Sequence, residues 1–88
     1  MSTKEMLGER LLNCKIANGL FPDEATVVVS TNSGDVSFFC PKEFLLNETV
    51  RVTLLEFAQE QALVRLPVES AVGRTLVVSV ADLAEVED

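Results

Sequence analysis

Hydrophobic residues along this chain fall at alternate positions in six short runs, and the runs come as two matching triplets. Leu12, Cys14 and Ile16 alternate with Asn13 and Lys15; at an offset of 38, Val50, Val52 and Leu54 alternate with Arg51 and Thr53. Ala25, Val27 and Val29 are answered by Ala62, Val64 and Leu66 at an offset of 37. Phe38, Cys40 and Leu45 are answered by Leu76, Val78 and Leu83 at 38 again. Alternation is the period of a strand with one buried face. The spacing predicts strands over residues 10–17, 25–31, 36–40, 49–55, 62–66 and 75–80, in two three-stranded halves.

The punctuation between runs agrees. Asn18, Gly19, Pro22 and Asp23 interrupt the first connection, where Leu20 and Phe21 are expected to plug one end of the core. Thr31, Asn32, Ser33, Gly34 and Asp35 make a hairpin loop. Pro41 stops the third strand and opens a helical turn over 41–45, echoed by Ala81, Asp82 and Leu83. Residues 56–61 hold neither glycine nor proline, which suggests one long twisted hairpin or a helical turn over 57–59. Pro67 is expected to end the fifth strand, with a turn over 69–73.

Six short antiparallel strands bury a shared face best by curling, and closure removes unpaired edges. The expected fold is all-β: a small six-stranded antiparallel SH3-like barrel of two βββ halves in pseudo-twofold relation. A two-sheet β-sandwich is the alternative. Residues 1–88 are read as one domain, with residues 1–9 a frayed N-terminus and residues 84–88 an acidic, solvated tail.

Composition narrows the function classes. The chain has 88 residues, 48% of them hydrophobic, enough for a core without metals or disulfides. Fourteen acids oppose seven bases, a formal charge of −7, which disfavours phosphate backbones and anionic lipid surfaces. The start lacks the apolar stretch of a secretory signal and no apolar run approaches the ~20 residues of a membrane span, so a cytoplasmic location is expected. Cys14 and Cys40 are then free thiols on inward strand positions.

Chemistry is hard to place. There is no histidine, no tyrosine and no tryptophan, so the commonest general base and the usual base-stacking platforms are missing. No G-x-S-x-G, G-x-G-x-x-G or P-loop spacing occurs. The loop acids Asp23, Glu24, Glu56, Glu60 and Glu69 show no metal-loop spacing. The expectation is a protein that is no enzyme and needs neither cofactor nor metal.

The outer face is more informative. Lys15, Arg51 and Arg65 point away from the core. If Leu54 pairs with Ala62, Arg51 lies across from Arg65, and either a local carboxylate offsets the two charges or a partner does. Val28, Phe39, Leu63 and Val77 lie on the same outward phase, with Leu55 and Phe57 near the end of strand four. Such residues are either covered internally or form a partner surface, with Phe39 and Leu63 the leading contact residues. The sequence is therefore read as a non-catalytic protein–protein interaction or assembly module, self-associating through that face in one version. Its partner-binding residues are Phe39, Leu63, Val28, Val77, Arg51 and Arg65, its partner a protein or a second copy. The alternative is a small nucleic-acid-binding β-barrel using Lys15, Arg51 and Arg65.

Overall fold

The computed structural model describes residues 8–86. The strands are β1 Gly8–Asn13, β2 Lys15–Asn18, β3 Glu24–Thr31, β4 Gly34–Pro41, β5 Leu45–Leu46, β6 Thr49–Ala58, β7 Gln61–Ser70, β8 Gly73–Ser79 and β9 Leu83–Glu85. Two 3-10 turns, Lys42–Phe44 and Val80–Asp82, precede β5 and β9. All strand pairs are antiparallel. No α-helix occurs among the described residues.

The doubled pattern is a doubled structure. Each half is a long or split first strand, a hairpin, a 3-10 turn and a short last strand, and equivalent pairs recur at the sequence offsets. Ala25 faces Cys40 as Ala62 faces Val78, and Val27 faces Phe38 as Val64 faces Leu76. Ile16 faces Val27 as Leu54 faces Val64. Even the turn anchors repeat: the Lys42 amide donates to the Asp23 carbonyl at 2.9 Å, and the Val80 amide to the Glu60 carbonyl at 2.8 Å.

The halves are interlocked. β1 pairs with β6, its own counterpart; β5 pairs with β6, and β9 with β1. The tail expectation is corrected here, because Ala84 and Glu85 lie in β9, held against Leu11 and Arg10. Gly8 and Glu9 likewise belong to β1, opposite Leu54 and Thr53. The rest of the expected frayed end, residues 1–7, and the last two residues lie outside the described residues.

The barrel expectation also needs correction. The strands form two sheets, one ordered β8-β7-β6-β1-β9 with β5 added to β6, the other β2-β3-β4, and among the described residues no ladder closes them into a ring. The first strand breaks at Cys14, whose amide donates to the Glu48 carbonyl at 3.0 Å, and it passes from one sheet to the other there. β4 packs beside β7, and β3 beside β8. Pro67 has no N–H to offer along β7. The carbonyls of Leu66 and Pro67 accept from the Arg74 guanidinium, both at 3.4 Å, where the β7–β8 ladder is interrupted. Pro67 thus does not end its strand, which runs on to Ser70.

The core lies between the two sheets. Leu12, Val27, Cys40, Val50, Val64, Leu66 and Val78 are fully buried in it, with Cys14, Phe44, Leu45, Val68 and Leu83 packed at its margin. Every one of the alternating inward positions read above is buried or packed at that margin except Ile16, which is half-buried. Leu20 and Phe21 do not plug the core: they are 74% and 65% exposed in the β2–β3 loop.

Candidate interaction surface

The outward apolar residues fall in two places. Phe39, opposite Thr26, and Val28, opposite Ser37, share the outer face of the three-stranded sheet. Leu63 and Val77 face each other on the larger sheet. Phe39 is the most open of the four; Val28, Leu63 and Val77 are half-buried by their neighbours. Phe39 also lines a cleft of about 290 Å³ at the unclosed seam, with Phe38, Glu69 and Ala71 among its other walls.

The bases are dispersed as well. Arg65 faces Thr53, not Arg51, because the β6–β7 register sets Leu54 opposite Val64 rather than Ala62. Arg51 faces Leu11 on β1, and its Nη1 lies 3.3 Å from the Glu9 carboxylate. A local acid therefore meets this charge. Lys15 sits in the other sheet, opposite Val28.

A bulge creates the site that sequence reasoning missed. The β6–β7 register slips between Leu54 and Glu56, leaving Leu55 unpaired. One extra residue reverses the phase of all that follow. Glu56 then takes the outward position opposite Leu63, and Phe57 turns to the core side opposite Ala62. Phe57 lies past the end of the core, 41% exposed, as one wall of an apolar groove of about 300 Å³. Leu54, Ala62, Leu83 and Ala84 line it, together with Val80, which is 38% exposed, and Arg10 and Glu85, cross-strand partners in the β1–β9 ladder.

The β6–β7 hairpin, which supplies Phe57 and Ala62 to the groove, turns just beyond them. Gln59 takes a left-handed φ of 56° in its two-residue turn, and the neighbouring Glu60 carbonyl receives the Val80 amide. Ser79 Oγ accepts the Ala81 amide at 3.2 Å, capping the second 3-10 turn. Beyond Val80 lies a polar cleft of about 330 Å³, lined by Ser30, Thr31, Asn32, Glu60, Gln61, Ser79 and Asp82. Neither the Glu60 nor the Asp82 carboxylate has a cationic partner among the described residues.

The thiols are free and suppressed. Burial pushes Cys14 up to about 11, with the Cys40 and Glu48 charges adding to the rise. Burial lifts Cys40 to about 11 as well, with Glu43 adding to it. Among the described residues no group of three or more His, Cys, Asp or Glu side chains is placed to hold a metal ion. Among those residues, too, no helix is long and apolar enough to cross a membrane. Comparison with protein-family models, with curated proteins and with solved structures finds no match for the chain.

Proposed function

We propose that the protein is a non-catalytic interaction or assembly module. The observation that carries this reading is the groove at the end of β6, where Phe57 and Val80 keep about two fifths of their surface in water beside an apolar floor. Concave apolar sites with a few polar groups at the rim are where proteins take up anchor side chains. Phe39, with the seam cleft beside it, supplies a second contact point on the other sheet. We read the fold as an SH3-like module opened along the β4–β7 seam, an architecture that serves many unrelated functions.

Two measurements test the reading. Sedimentation at micromolar concentration detects self-association, and quantitative affinity capture detects another protein. A partner or dimer retained by wild type and lost in folded Phe57→Ser supports it. A clean monomer, whose captured proteins are unchanged by Phe57→Ser and by Phe39→Ser, removes it.

A further inference from the structure

The groove and the polar cleft are neighbours, separated by Val80, and their charges differ. The groove carries one base and one acid, Arg10 and Glu85. The cleft carries only acids, Glu60 and Asp82, among hydroxyl and amide side chains. We propose that the two together receive an extended segment of a partner protein, an apolar side chain seating in the groove and adjoining lysine or arginine side chains meeting Glu60 and Asp82. This rests on the interaction reading above and names the class of partner.

Three observations support it. The apolar walls and the unpartnered carboxylates lie on either side of one residue, so a single extended strand of a few residues reaches both. The stretch between groove and cleft is held by hydrogen bonds, the Val80 amide to the Glu60 carbonyl and the Ala81 amide to the Ser79 hydroxyl, so little ordering cost falls on binding. The chain's formal charge of −7 steers a basic segment toward it and repels an acidic one. That same charge opposes a nucleic acid in this cleft.

The test is an amide-resolved NMR titration of the full chain with three probes: acetyl-Leu-Lys-Lys-amide, acetyl-Leu-Gln-Gln-amide and acetyl-Leu-Glu-Glu-amide. The basic peptide is expected to shift Gln61, Ala62, Val80 and Ala84. Its affinity should exceed that of the acidic peptide by about ten-fold, the combined effect of two exposed charge pairs. Added salt should erase most of that preference, and so should Glu60→Gln with Asp82→Asn. Phe57→Ser should weaken all three peptides alike. Equal shifts from all three overturn the proposal while leaving the interaction reading intact. Shifts centred on Phe39 and Val28, or none at the groove, also overturn it; the capture experiment decides the broader reading separately.

Discussion

Leu12 and Val50 stand directly opposite each other in the β1–β6 ladder, both fully buried, and each is the other's counterpart in the two halves of the chain. The two halves of the chain therefore meet at these two side chains. Deleting one leaves a cavity at the junction of both halves. Leu12→Ala is expected to cost about 2–5 kcal/mol in urea unfolding. Val50→Ala should cost less, since fewer carbons are removed. Because the two residues are cross-strand neighbours, the double variant should depart from additivity by at least about 0.5 kcal/mol. Strict additivity would mean the two sites do not share a cavity.

Raised thiols make alkaline pH a stability variable. In the folded chain Cys14 and Cys40 favour the protonated form, moved from 9.0 to about 11. Their contribution is complete below pH 9 and is lost as pH rises toward 11. Cys14→Ala with Cys40→Ala should flatten that alkaline limb of unfolding free energy. Native alkylation at pH 8 should run on the order of 100-fold slower than in urea, following thiolate fraction. Rapid native labelling of Cys40 would contradict its burial.

The Arg51–Glu9 pair is exposed on both sides, at 46% and 57% for the two side chains. A mutant cycle on Arg51→Ala and Glu9→Ala should return a coupling of about 0.2–1 kcal/mol at low salt, shrinking as salt is added. Arg51→Ala should leave the spectrum of the fold unchanged. A coupling of several kcal/mol would indicate a desolvated pair, contrary to the geometry.

Gln59 sits in the left-handed region without being glycine, with φ 56° in the β6–β7 turn. A side chain there costs about 1 kcal/mol relative to glycine. Gln59→Gly should raise stability by about 0.5–1 kcal/mol, and Gln59→Val should lower it. Equal midpoints for the two variants in thermal unfolding would show that the turn relaxes to another conformation.

The buried half of this architecture was legible because alternation reports directly on one-sided burial. Val27 and Val64, or Cys40 and Val78, declare their side of the sheet by phase alone. The Lys42 and Val80 turns were legible through Pro41 and the repeat. Closure was not, because it depends on where ladders stop. The break at Cys14 and the interruption beside Pro67 are set by distant partners, Glu48 and Arg74, which no local pattern encodes. The groove was missed for a related reason. A bulge without glycine leaves no mark on Leu55, and one unpaired residue was enough to carry Phe57 from the outward set to the core side. Ala84 and Glu85 looked like tail because a three-residue strand is too short to show periodicity. The dispersal of Lys15, Arg51 and Arg65 followed from register, and a two-residue shift separated charges that a simple hairpin would have placed face to face.

The crossed pairing of short last strands has a kinetic meaning. Leu83 must find Leu12 across nearly the whole chain, and Leu45 must wait for Val50's strand to turn back on it. Neither hairpin is completed by its own half, so refolding should be a single all-or-none event, slow for so small a chain, in milliseconds to seconds. Trimming the polypeptide just before Leu83 should then abolish the whole structure rather than loosen one end.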